Sequence, residues 1–209
     1  MMRHFEFVKE LKRNCFFYVK ESIPMKLSIT RRTNVRKSDT LTVRREGNVP
    51  AILYAAGEQP VDIIVNGPEL QAMFRQIKTG RLSTTVLELE LEGKTFKALV
   101  KDIQYHPTTY NVIHLDLLKL SENNKVKVKV PIEFTGAADC PGIKLGGFLR
   151  PVIRYVSVEC LPTQIPGSFE LSVADLGMKQ SKRIKDLAFP NGVRPLTKVD
   201  EVAVVIAKR

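Results

Sequence analysis

Short runs of alternating apolar and polar residues dominate this chain from residue 26 onward. Thr85-Val86-Leu87-Glu88-Leu89-Glu90-Leu91 puts Leu87, Leu89 and Leu91 on one face and predicts a half-buried strand. Glu92-Gly93-Lys94 reads as a hairpin turn into a second strand over residues 95–105. Lys125-Val126-Lys127-Val128-Lys129-Val130 alternates as strictly, with a basic outer face. Residues 25–29, 49–55 and 61–65 add further short strands; Gly57, Glu58, Gln59 and Pro60 interrupt the last two.

Helical period is clear in one place. Leu70, Met73, Phe74 and Ile77 form a single buried stripe. Pro68 suits the first helical position, Glu69 sits beside it at the positive end of the dipole, and Gly80 reads as the closing cap. The polar run Ser121-Glu122-Asn123-Asn124 marks a domain boundary. Beyond it, strand signals at 130–134, 152–161, 169–173 and 202–207 are punctuated by Pro141-Gly142, Gly146-Gly147, Pro166-Gly167 and Pro190-Asn191-Gly192. The expected fold is therefore mainly β with a few helices (α+β), in two domains over residues 25–120 and 125–209. Residues 1–24 mix Phe5, Phe7, Phe16, Phe17 and Tyr18 with charges of both signs and have no apolar core of signal-peptide length. They read as an extension outside the fold, with a short helical extension as the alternative.

Composition narrows the function classes. Of 209 residues 44% are hydrophobic, enough for real cores and too many for a disordered basic tail. Cys15, Cys140 and Cys160 are far apart and odd in number, which fits neither a disulfide framework nor a metal motif and suits a reducing compartment. No apolar run approaches the roughly 20 residues of a membrane span. The net charge of +11 is unevenly spread. Residues 26–45 hold seven bases against one acid, residues 46–120 seven against nine, and residues 121–209 fourteen against nine. A local cationic arm before a near-neutral domain points to a polyanion, above all a nucleic-acid backbone. Lys37, Arg44 and Arg45 flank small polar residues in this arm, and Arg donates two parallel hydrogen bonds to phosphate. A solvated charged segment is the plainer reading.

A second constellation lies on the hairpin expected around Pro107. Asp102, Gln104 and His106 share one face, as do His114 and Asp116 on the returning strand. Pairing His106 with Val112 would set Gln104 opposite His114 and Asp102 opposite Asp116. Four readings fit: a metal site through His106, His114 and Asp116; an acid–base site; a hydrogen-bonding surface for base edges; or an exposed polar strand face. The metal reading lacks motif spacing, and the catalytic one lacks a nucleophile or a phosphate loop. Tyr54, at the end of the strand after Pro50, offers a ring for stacking and a hydroxyl for hydrogen bonding, or simply closes a strand. The loop Ile143-Lys144-Leu145-Gly146-Gly147-Phe148 reads as a turn.

These residues, in this order, resemble a known family. Arg44-Arg45-Glu46-Gly47-Asn48-Val49-Pro50-Ala51-Ile52-Leu53-Tyr54, then Asp102-Ile103-Gln104-Tyr105-His106-Pro107 and Ile113-His114-Leu115-Asp116, are similar to bacterial large-subunit ribosomal protein twenty-five, which binds 5S rRNA. Val130-Pro131-Ile132-Glu133-Phe134-Thr135-Gly136, Gly142-Ile143-Lys144-Leu145-Gly146-Gly147 and Val158-Glu159-Cys160-Leu161-Pro162 resemble its long form, the general stress protein CTC type. The resemblance implies an N-terminal β-barrel-like RNA-binding domain followed by a β-rich domain. It implies a structural, non-enzymatic ribonucleoprotein component of translation: cytoplasmic, ribosome-associated, without cofactor or metal. Its partners would be 5S rRNA, large-subunit proteins and other rRNA, with no membrane and no small-molecule substrate. The family's RNA contacts map onto Lys37, Arg44, Tyr54, Gln104, His114 and Asp116. Many members are basic where this chain has Leu41 and Thr42; Arg45, or Arg31 and Arg32, are the cations expected to compensate. The alternative function is a stress-related protein-interaction module with secondary RNA affinity.

Overall fold

The computed structural model describes residues 25–208 apart from 34, 35 and 56. The extension expected over residues 1–24 lies outside the described residues. The first half contains β1 (Met25–Arg31), α1 (Lys37–Arg45), β2 (Val49–Tyr54), β3 (Val61–Val65), α2 (Gly67–Gln76), β4 (Val86–Leu91), β5 (Lys94–Tyr105) and β6 (Val112–Lys119). Six strands close a barrel in the order β1-β3-β2-β6-β5-β4. The hairpin neighbours and the β1–β3 pair are antiparallel, and parallel β1–β4 and β2–β6 pairs complete the barrel. The alternating side chains read from the sequence point as expected: Leu27, Ile63, Leu87, Leu89, Leu115 and Leu117 are fully buried inside. Helix α2 adds Leu70 and Met73 to the same core.

Two local expectations need correction. Gly80 does not cap α2: the helix stops at Gln76, and Ile77 turns extended while its N–H bonds the Met73 carbonyl. Ile77 packs on the barrel core, and the chain then leaves for the second domain. The N-terminal end of α2 is capped by Asn66, whose side chain accepts from the Glu69 N–H at 3.3 Å. The basic stretch is not an arm. Lys26 and Arg31 lie on β1, whereas Lys37, Arg44 and Arg45 lie on α1. That helix ends in a Schellman motif: Gly47, at φ +82°, donates to the Arg44 carbonyl, and Asn48 donates to that of Val43.

The second half contains β7 (Val126–Thr135), the one-turn α3 (Pro141–Lys144), β8 (Gly147–Pro151), β9 (Tyr155–Cys160), β10 (Phe169–Ser172), β11 (Ser181–Arg183), β12 (Arg194–Pro195) and β13 (Val202–Lys208). They form two sheets, β10-β7-β9-β12 and β11-β13-β8, around a core that includes Phe169, set edge-on to Phe189 at 5.2 Å. Val126, Val128 and Val130 point into it and Lys125, Lys127 and Lys129 out. Among the described residues no helix is long and apolar enough to cross a membrane.

The two halves are joined by more than a linker. Leu99 of β5 faces out of the barrel and is buried in the second core, with Val86, Leu118 and Leu120 packed beside it. Around this apolar seam runs a polar clamp from residues 78–85. Arg81 donates Nε and Nη2 to Glu133 Oε1 at 3.0 and 2.8 Å, and Nη2 also reaches Ser168 Oγ. Lys78 joins the same carboxylate at 3.0 Å. Thr84, the one buried polar side chain among the described residues, donates its hydroxyl to the Arg81 and Gly167 carbonyls. The clamp fixes the second domain against the barrel wall that carries the polar residues described next.

Candidate nucleic-acid interface

The polar cluster sits on β5 and β6, between two β-bulges. Gln104 pairs with His114 and Asp102 with Asp116. On one side the register slips so that Tyr105, not His106, opposes Val112; Ile113 is the extra residue. On the other side Val100 opposes Leu117 and Lys101 is the extra residue. Between the bulges the alternation is regular: Ile103 and Leu115 face the barrel core while Asp102, Gln104, His114 and Asp116 face outward.

Electrostatics ties this patch together. His114 Nδ1 lies 2.9 Å from Asp116 Oδ1, an ion-pair distance, yet the ring N–H misses the oxygen, so this buried nitrogen has no hydrogen-bond partner. Tyr54 lies on β2, which runs parallel to β6, with Ile52 paired to Asp116 and Tyr54 to Leu118. Burial raises the Tyr54 hydroxyl above its ordinary pKa, and the negative charges of Asp116 and then Asp102 raise it further. Tyr54 is therefore a neutral donor beside two carboxylates.

Helix α1 borders the patch. It carries little apolar stripe: Val43 is buried, Leu41 is exposed. Its charges suit its dipole, with Asp39 in the first turn and Arg44 and Arg45 in the last. Arg44 Nε donates to the Ile113 carbonyl at 3.2 Å, binding the helix to the bulge. The two terminal nitrogens of that guanidinium have no partner among the described residues. Lys37 begins the helix and, like Arg45, is exposed. Arg32 cannot stand in for cations missing at Leu41 and Thr42. It is held by Asp62 at 3.1 Å and Thr40 at 3.0 Å, and its side chain is largely buried.

The structure thus gathers Tyr54, Gln104, His114 and Asp116 on one surface with Asp102, and sets Arg44 at its edge. Asp102 belongs to this group, a membership already legible in its even spacing from Gln104. His106 leaves it. The imidazole Nδ1 accepts from the backbone N–H groups of Thr108 and Thr109 at 3.4 and 3.3 Å, and lies 3.0 Å from the Thr108 hydroxyl. Through that nitrogen it organises the turn. That separation also dismantles the metal reading through His106, His114 and Asp116, and no three ligating side chains come together elsewhere among the described residues.

Residues 27–117 match the Ribosomal L25p family, and residues 125–209 match the C-terminal domain of ribosomal protein TL5. The large ribosomal subunit protein bL25 of Chlamydia abortus is 43% identical over 185 residues, spanning 88% of this chain and all of that protein. Its counterparts in Chlamydia muridarum and Chlamydia pneumoniae are 41% and 42% identical over the same lengths. With a barrel of this topology, a second β-rich domain and identity at this level across both, the chain belongs to the bL25 family of ribosomal proteins.

Proposed function

We propose that this protein is a structural component of the large ribosomal subunit, working on cytoplasmic ribosomes, and that it binds 5S rRNA through the outer face of β5 and β6 and the adjoining helix α1. The observation that carries the proposal is the bulge-framed register that pairs Gln104 with His114 and Asp102 with Asp116 beside Tyr54. Gln104 offers a donor and an acceptor in one plane, and Asp116 accepts from exocyclic amino groups. A rigid sheet holds these groups in fixed order, so they read the edges and shape of an irregular RNA helix, where a distorted internal loop opens what the A-form major groove hides. Lys37, Arg44 and Arg45 on α1 neutralise phosphates and fix position, adding affinity without sequence information. The names of the chlamydial relatives support the subunit assignment.

The test is a salt-dependent titration of the purified protein against 5S rRNA, a loop-mutated 5S rRNA and an unrelated duplex. Wild-type protein prefers intact 5S rRNA. Gln104→Ala and Asp116→Ala each lose about 1–3 kcal/mol on 5S rRNA and much less on the duplex. Equal losses on both RNAs would remove the sheet face from recognition.

A further inference from the structure

A second surface lies at the seam between the domains. There the end of α2 and the loop after it, the bulged part of β5, and β7 and β9 of the second domain enclose a cleft of about 530 Å³. Its floor is apolar, with Phe74 and Ile103, and its rim carries Lys78, Lys101 and Lys129 together with Tyr105 and Tyr155. Both tyrosines are about half exposed, at 50% and 46%. Asp102 is the one acidic residue in the lining.

The cations arrive from two domains. Lys101 is the extra residue of the β5 bulge, so its side chain leaves the alternation of the strand and reaches across the seam, donating to the Lys127 carbonyl at 2.8 Å. Lys129 points outward from β7. Neither has a carboxylate within ion-pair distance among the described residues, whereas Lys78 is already paired with Glu133. The Lys101 ammonium is held below its ordinary pKa, first by burial and then by the positive charges of Lys129 and Lys127. Positive charge is crowded here, and an anion entering the cleft relieves it.

We infer that the interdomain cleft binds a single-stranded RNA segment, with Lys101 and Lys129 on its phosphates and Tyr105 and Tyr155 stacking on its bases. Its volume falls in the range of small-ligand clefts, roughly 300–1,000 Å³, and admits unstacked nucleotides but no duplex. Cations lining an open groove beside exposed aromatic rings are the chemistry of single-strand binding, tolerant of sequence because every base has a stacking face. An acidic peptide shares the charge requirement but gains little from two stacking platforms. The seam between the domains therefore gives the protein a nucleic-acid contact beyond the Gln104–His114 face, which it adjoins at Asp102.

The experiment measures fluorescence anisotropy of the full chain with a labelled short oligouridylate across a salt series, using a poly-glutamate peptide as competitor. Lys129→Ala, at an exposed position, flattens the salt slope by about 0.7. Tyr105→Leu and Tyr155→Leu each weaken the oligonucleotide at least about fivefold. Gln104→Ala leaves oligouridylate binding unchanged, which separates this site from the barrel face. Ultraviolet crosslinking of a thiouridine oligonucleotide to wild-type protein marks Tyr105 or Tyr155 and needs no variant to fold. Unchanged binding in both tyrosine variants, crosslinks confined to the barrel face, or a peptide that displaces RNA at equal charge concentration would each overturn the inference.

Discussion

Arg44 Nε donates to the carbonyl oxygen of Ile113, the residue that the β6 bulge leaves without a strand partner and the one before His114. A bulge frees a backbone carbonyl from the ladder, and here a helix from elsewhere in the chain takes it up. The contact sets the distance between the cations of α1 and the polar face of β5 and β6. Arg44 can make it and still offer the two terminal nitrogens of its fork, because Nε points along a different edge of the guanidinium.

Arg44→Ala and Arg44→Lys therefore differ. The alanine variant loses one phosphate contact, so the slope of log affinity against log salt falls by about 0.9 on a double-helical RNA target. The lysine variant keeps the charge and most of the slope. It loses the planar fork and the Nε anchor, and binds more weakly at every salt concentration. Filter binding over a salt series checks both, and an alanine variant with the wild-type slope would take Arg44 off the backbone.

His106 gives the opposite expectation. Its ring nitrogen serves the Thr108 and Thr109 amides, so His106→Ala uncaps the turn between β5 and β6. Urea denaturation should show a loss of about 0.5–2 kcal/mol, as for other side-chain caps. Preference for 5S rRNA over a duplex should persist. A variant of unchanged stability that loses this preference would return His106 to the interface.

The same residue shows where sequence reading stops. Alternation gave the faces, and an assumed pairing of His106 with Val112 set Gln104 against His114 and Asp102 against Asp116. Those two pairs are present, whereas the assumed one is displaced to Tyr105 and Val112. A bulge adds one residue to one strand and shifts everything beyond it, and no residue type here announces it. Helix α1 was hidden for another reason: with Val43 alone buried, it has no apolar stripe to read. The barrel strands were plain because each buries one face. The short β8, β11 and β12 were not: β11 and β12 have only three and two residues, and β8, running from Gly147 to Pro151, fully buries none of its five.

Gly47 has a second partner that makes Gly67 indispensable. A Cβ at Gly67 would collide with the Gly47 carbonyl, a backbone atom that cannot swing aside. The start of α2 thus presses on the loop that ends α1. Gly67→Ala should cost about 1–3 kcal/mol by overpacking. It should also weaken 5S rRNA binding, because relief of the clash displaces α1 from the sheet. Thermal melting and RNA titration of one preparation check this, and an unaltered melting temperature would contradict the close approach.

Glu133 makes the domain seam sensitive to acid. Burial raises its pKa, but the hydrogen bonds and charges of Lys78 and Arg81 outweigh that and hold the carboxyl below its ordinary value of 4.5. A carboxyl whose folded pKa is depressed binds protons more readily in the unfolded chain. Its stabilising contribution is therefore full above the unfolded value and fades as the pH falls below about 4.5 toward the folded value. The side chains stay partly solvated, with 28% of Glu133 and 36% of Arg81 exposed, so screening limits the effect to about 1 kcal/mol. Glu133→Gln keeps the shape and removes the titration. Urea denaturation at neutral pH and below pH 4 should show the wild-type protein losing about 1 kcal/mol more than the variant over that interval, with the two converging at the acid end. Parallel losses in both proteins would place the acid sensitivity elsewhere and leave the clamp as a neutral contact.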